Sequence, residues 1–386
     1  MVHDMTADRA LLRALRDELV SWLVESAYPL WARSGVDPVN GGFMEMLAQD
    51  GSPLQRPRRA RVQPRQVFSF ALASRFGWTG DHRRIVRRGI DYFVAHYLRS
   101  DGLFRTLAGI DGAPMDDRAL LYDQAFALLG YAGSAQALEA RDEFEPRAVA
   151  LRNAIEAQLA GGGGAFHSDE TRGPVFESNP HMHLLEACLA WTEIGRDPGW
   201  EEWVRQLVRL AIERFIRADT GALGEVFGGD WRPAPGTAGR IVEPGHQFEW
   251  AWLLMRAARG QPGPLRDAAL RLILIGERAG VHDGVAINSL LDDLTVHDAN
   301  ARLWPQTERL KAALLAARLT GESWYWSMAA AAAASLPPYF KTRVTGLWLD
   351  IREPGGNIIE APAPASSFYH VAGAILALSE AVPASR

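Results

Sequence analysis

Cysteine is nearly missing. Cys188 stands alone among 386 residues, which excludes an intramolecular disulfide and a zinc site built from several thiolates. That scarcity fits a reducing compartment. A charge excess of either sign is missing too. The 41 lysines and arginines against 46 acidic residues leave a net charge of -5, so nothing argues for nucleic acid or an anionic membrane as a partner. Long apolar runs are absent. The longest, MAAAAAASL from Met328 to Leu336, is too short and alanine-rich to span a bilayer. The opening MVHDMTADRALLRALRDELV is charged and amphipathic, without the apolar stretch of a secretory signal. These absences lead us to expect a soluble, cytoplasmic protein, monomeric or homodimeric.

What is present is helical periodicity, with weak strand signals. Twelve helices are expected over 6–28, 63–77, 81–98, 118–132, 142–160, 180–195, 199–217, 244–259, 263–279, 302–319, 322–335 and 366–381. After each odd-numbered one comes a glycine, usually followed by an apolar residue: Gly42, Gly102, Gly164, Gly221, Gly284 and Gly346. The intervals are 102−42=60, 164−102=62, 221−164=57, 284−221=63 and 346−284=62. A period near sixty holds two helices and two loops. Six such units could form an open solenoid or a closed ring. Neither terminal unit has the polar face that caps an open array, and the even helices are the more apolar. The expectation is therefore an all-α (α/α)6 barrel, one domain over 1–386, with the even helices inside.

Polar residues recur at the start of each even helix: Arg65, Asp123 and Gln124, His183, His246, Gln306 and His370. Counting Gln124, the intervals are 59, 59, 63, 60 and 64. One residue per unit at the same end of each inner helix would converge on one barrel mouth. Polar residues also open helices as caps, but arginine and histidine are not favoured there. His183 with Glu186, and His246 with Glu249, stand three apart on one helical face. Each carboxylate could orient its imidazole. A metal site and a pair of satisfied core histidines are the competing readings. Trp304 and Trp348 lie near the expected mouth and could stack on a ring-shaped ligand. The run QRPRRARVQPRQ, Gln55 to Gln66, is either a solvated loop or a phosphate ligand. GGGG at 161–164 reads as a hairpin tip, and His282 and His297 as surface residues.

Taken in order, RVQPRQVFSFA, NPHMHLLEA, EPGHQFEWAWLL, RLWPQTERLKAAL and SSFYH resemble the N-acylglucosamine 2-epimerase superfamily, from WARSGVDPVNGGF (Trp31 to Phe43) to His370. The resemblance implies the same barrel and a sugar substrate, with no metal or cofactor. It implies that Arg65 binds substrate oxygens, that Asn179 and Glu186 stand beside a substrate-binding His183, and that His246 (with Glu249) and His370 are the acid/base pair. Trp304, Gln306, Glu308, Asp123, Gln124 and Trp348 are further candidates for substrate contact. The expected reaction is mannose–fructose type isomerisation through a cis-enediolate. A 2-epimerase of an aldose or N-acylhexosamine, a mannose-6-phosphate isomerase-like activity, and a glycoside hydrolase of the same fold are the alternatives. A hydrolase would need two carboxylates flanking the bond it cleaves, and a non-catalytic sugar binder would need no histidines.

Overall fold

The computed structural model describes residues 5–173 and 175–383. Within them lie twelve helices, all at the expected places. The first, α1, runs as Met5–Trp22, a π turn Leu23–Ala27 and Tyr28–Ser34, six residues beyond its expected end. The others are α2 Val62–Ala71, α3 His82–Tyr97, α4 Leu121–Ala137, α5 Arg141–Leu159, α6 Ser178–Ile194, α7 Gly199–Leu210, α8 Pro244–Ala257, α9 Pro264–Gly280, α10 Leu303–Thr320, α11 Ser323–Ala334 and α12 Phe368–Ala381. Among the described residues, no helix is long and apolar enough to cross a membrane.

The two sets of helices differ as their surroundings demand. On α3 the buried residues Val86, Ile90, Phe93 and Tyr97 form one stripe, the mark of a helix with one wet face. On α4 the run from Asp123 to Ala135 is buried on every side, as an inner helix requires. The even helices pack in a ring: α2 on α4, then α6, α8, α10 and α12, and α12 returns to α2. This is an (α/α)6 barrel. Each later outer helix packs on the inner helix that precedes it in the chain, and α1, with none before it, packs on both α11 and α12. Tyr28 against Phe368 and the stacked pair Trp31–Trp348, centroids 4.7 Å apart, fill that seam.

All six repeat glycines have positive φ, from 70° to 101°, a conformation that costs any other residue strain. In the first five units the segment after the turn comes back to the inner helix, where a side chain receives it. Gln63 accepts from the Phe43 N–H and donates to its carbonyl. Gln124 does the same to Phe104, Gln247 to Leu223 and Gln306 to Ala286. In the third unit His181 replaces glutamine and accepts from Phe166 at 2.9 Å. These clamps satisfy loop amides that would otherwise be buried unpaired.

The loops also join one unit to the next. The N–H groups of Ala60, Leu121, Ser178, Val242, Leu303 and Ala365, each at or just before the start of an inner helix, donate to the carbonyls of Thr106, Ser168, Glu225, Leu290, Asp350 and Glu45 at 2.8–3.0 Å. In each case the acceptor lies in the loop of the following unit, and Glu45 of the first unit closes the circle on the last. Short antiparallel ladders such as Met46–Leu47 with Ala363–Pro364 and Val175–Glu177 with Val226–Gly228 reinforce this rim. Their two- and three-residue lengths explain why no strand pattern is visible in the sequence. GGGG lies in the hairpin pairing Ala160–Gly162 with Ala165–Phe166, and His282 and His297 are exposed.

Candidate active site

The rim surrounds a cavity of about 580 Å3 at the N-terminal ends of the inner helices. All six units reach it, with Arg65, Tyr122, His183, His246, Trp304 and His370 coming one each from α2 to α12. The inner helices direct their N-terminal N–H ends toward it, a field that favours negative charge on a ligand.

Arg65 is 5% exposed. It donates to the Tyr122 hydroxyl at 2.6 Å and to the Ser366 carbonyl at 3.4 Å, and its guanidinium lies over the Phe126 ring. Its Nε is buried without a hydrogen-bond partner, and so is Oδ1 of Asn179 on α6. Trp304 lies between two histidines, its ring 5.1 Å from His246 and 5.6 Å from His370. Gly245 makes room for it, since a Cβ there would come within 2.4 Å of the indole.

Each histidine is held through Nδ1 by a carboxyl group. His183 meets Glu186 at 3.2 Å, the i, i+3 pair expected from the sequence. His246 does not meet Glu249. Its partner is Glu225, 2.9 Å away, with Glu243 at 3.8 Å. Glu249 points down the barrel axis and lies 3.1 Å from the Tyr369 hydroxyl instead. His370 meets Glu308 at 2.8 Å, and Glu308 accepts from Lys311 at 2.7 Å.

Glu186, Glu249, Glu308, Lys311 and Tyr369 thus form a buried floor beneath the histidines. Three carboxyl groups share one ammonium there and cannot all ionise. Burial pushes Glu249 well above the carboxylate range, with repulsion from Glu308 added. Burial works against Glu186 as well, yet the His183 hydrogen bond and the Lys311 charge hold it at about 2. Tyr369 lies 3.1 Å from both Glu186 and Glu249, and a hydroxyl has one proton to donate. Burial favours the protonated form of Glu249, whose carboxyl then donates the second. Burial would lower Lys311, but the surrounding carboxylates outweigh it and keep the ammonium charged.

The histidines are driven apart. Burial lowers His183 to about 4 and carries His370 well below the ordinary imidazole value, helped by the charges of Arg65 and Lys311. Burial also opposes charge on His246, but the Glu225 and Glu243 carboxylates overcome it and push the ring up to about 10. The surroundings therefore favour charge on His246 and oppose it on His183 and His370.

Several sequence expectations need correction. Gln124 and Gln306 do not face the cavity, because both are fully buried and spent on the loop clamps. Trp348 is fully buried in the seam against Trp31 and Phe368. Asp123 lies behind Arg61, 3.5 Å from it, with no exposure. Glu186 and Glu308 act from below, through His183 and His370. Carboxylates are also more plentiful than expected: Glu177, Glu243, Glu249 and Asp350 line the cavity. Each has an internal partner, in order Ser168, Arg302, Tyr369 and Ser367.

Glu225, Tyr122, Lys311 and Tyr369 escaped the sequence reading. A signal for Glu225 exists in the glycine repeat. Counting four residues on from each glycine (three from Gly42) gives Glu45, Thr106, Ser168, Glu225, Asn288 and Asp350. Each lies beside the start of an inner helix. Among the described residues, two groups could hold a cation: His183, Glu186 and Glu249, and Glu249, Glu308 and His370. Their carboxyl groups already bond Tyr369 and Lys311.

The family model for N-acylglucosamine 2-epimerase (GlcNAc 2-epimerase) matches residues 41–374. A protein of Rhizobium meliloti (strain 1021) named mannose-6-phosphate isomerase is 45% identical over 373 residues, covering 94% of this chain and 96% of that one. A cellobiose 2-epimerase of Bacteroides fragilis is 24% identical over 264 residues, 64% of this chain and 66% of that one. The crystal structure of a D-mannose isomerase superposes with a TM-score of 0.85 at 21% identity, covering 94% of this chain and 97% of that one.

Proposed function

The chain belongs to the N-acylglucosamine 2-epimerase family of isomerases and epimerases, and from that footing we propose that it interconverts mannose- and fructose-type sugars by acid/base catalysis at His370 and His246. The observation that carries this reading is that His246 and His370 flank Trp304 at the cavity, each bonded through Nδ1 to a carboxyl group of its own, in surroundings that favour charge on the first ring and oppose it on the second. Neutral His370 takes the C2 proton of the open-chain aldose as a cis-enediolate forms, and returns it to C1 on the same face. The His246 imidazolium gives a proton to the oxygen where charge collects and regains it from the neighbouring hydroxyl, so the carbonyl moves from C1 to C2. Arg65 and the inner-helix N-termini stabilise the enediolate. Trp304 offers its ring to the sugar, and His183 and Asn179 bind hydroxyls and assist ring opening.

The identity of 45% over nearly the whole chain to a protein named mannose-6-phosphate isomerase, against 24% over 64% of it to a cellobiose 2-epimerase, favours an isomerase over a 2-epimerase. The bonded carboxyl groups of the floor support a reaction without metal. The test is incubation in D2O with mannose, fructose and glucose, followed by NMR. Deuterium should enter C1 of product and C2 of recovered aldose, and His246→Ala and His370→Ala should each lower kcat by about 10²–10⁴-fold with the far-UV circular dichroism unchanged. Near wild-type turnover in either variant would refute the assignment.

A further inference from the structure

The arginine run is not absorbed by this chemistry, and the cavity shows where it goes. Arg59, Arg61 and Arg65 all line one wall, the segment leading into α2. Arg65 is engaged by Tyr122 and Ser366. Arg59 and Arg61 stand nearer the rim, with side-chain exposures of 39% and 22%. Arg59 binds Glu45 through Nε and its backbone N–H. Arg61 reaches Asp123 through NH1 across 3.5 Å and lies over the Tyr122 ring at 5.2 Å. Among the described residues, neither terminal nitrogen of Arg59, nor NH2 of Arg61, has a hydrogen-bond partner. Glu45 and Asp123 lie behind these arginines, and the carboxylates that line the cavity are elsewhere: Glu177 precedes α6, Glu243 precedes α8, Glu249 lies on α8 and Asp350 precedes α12. Arg302, before α10, turns toward Glu243 at 3.6 Å.

Position in the ring adds direction. His246 of α8 and His370 of α12 flank Trp304 of α10, which fixes the reacting carbons at that side. Across a ring of six from α10 lies α4, and Arg61 stands over Tyr122 of α4 with Arg59 beside it on the segment leading into the neighbouring α2, so a six-carbon chain with C1 and C2 between the histidines directs its far end toward the free arginine donors. We infer that Arg59 and Arg61 form a subsite for a phosphate monoester on the terminal carbon of the sugar. Guanidinium forks suit a dianionic tetrahedral group, and the carboxylates on the other walls disfavour the reversed orientation. The subsite thus selects a sugar phosphate and orients it with C2 against His370. This rests on the isomerase reading for which end of the sugar reacts.

The test separates the two. 1,5-Anhydromannitol cannot open or isomerise, so its binding does not depend on turnover. Calorimetry should show its 6-phosphate binding at least tenfold more tightly than the unphosphorylated compound. The Arg59→Ala/Arg61→Ala double variant should bring the ratio close to one, and Arg59→Lys/Arg61→Lys, which keeps both charges, should retain part of it. Equal binding of the two compounds by the native protein overturns the subsite. So does a preference that survives the alanine double variant while that variant still binds the unphosphorylated compound. If the preference follows the arginines but neither mannose nor its 6-phosphate is turned over, the subsite stands and the isomerase reading falls.

Discussion

His246 and His370 are the same side chain on equivalent helices, and their surroundings assign them opposite work. Glu225 does most to make His246 different, since its carboxylate counters a burial that would otherwise strip the ring of its proton. Replacing Glu225 by glutamine keeps the hydrogen bond and removes the charge. The alkaline limb of kcat/KM against pH, where an acid His246 loses its proton, should then move down by about one unit or more. An unmoved limb would exclude His246 as the group titrating there. Local spacing revealed the histidines and the His183–Glu186 pair, because three residues on a helix form one neighbourhood. The same rule misassigned Glu249. The carboxylate that serves His246 lies 21 residues away in sequence, and such a pairing is settled by how loops dock, not by helical period.

At the scale of the element, the loop clamp is the device the sequence conceals best. Four glutamines and one histidine do the same job, and from spacing alone two of the glutamines looked like ligand contacts. A side chain one or two residues away, on the other side of the same helix start, is the one that faces the cavity. His181 gives the clamp a pH dependence that its glutamine equivalents lack. It accepts from Phe166 at Nε2, and Nδ1 lies 2.6 Å from the Glu177 carbonyl. A second proton would set N–H against N–H. Burial accordingly holds the ring down at about 4. Its folded value lies below the unfolded one, so the unfolded chain takes up the proton first. The stabilising contribution is complete above pH 6.5 and is lost as pH falls toward 4, at most roughly 3 kcal/mol for a shift of this size. His181→Gln should therefore flatten the acid limb of stability measured by urea unfolding at pH 4 to 7. An acid limb as steep as the wild type's would show that other groups set it.

For the whole molecule, the sixty-residue glycine period implied the ring, and the ring implied a mouth. The period says nothing about how the ring shuts. Closure is achieved by α1 packing on α12, by the aromatic seam, and by the Glu45 carbonyl receiving Ala365. These contacts join residues more than three hundred positions apart, where a sequence pattern has no reach. The floor has a similar character. It is assembled from α6, α8, α10 and α12, and beneath it lies a second cavity of about 300 Å3 that touches Glu186, Lys311 and Tyr369 from the opposite side.

Because that layer separates the two cavities, the catalytic chamber is a room with a single door. An aldose must enter, and the ketose must leave, through the same opening over the same arginines and tryptophan, and neither can be inside while the other is. Substrate and product then exclude one another completely. Initial rates of mannose conversion should show linear competitive inhibition by fructose, and an intersecting noncompetitive pattern would mean that fructose also binds outside the chamber or to a different form of the protein.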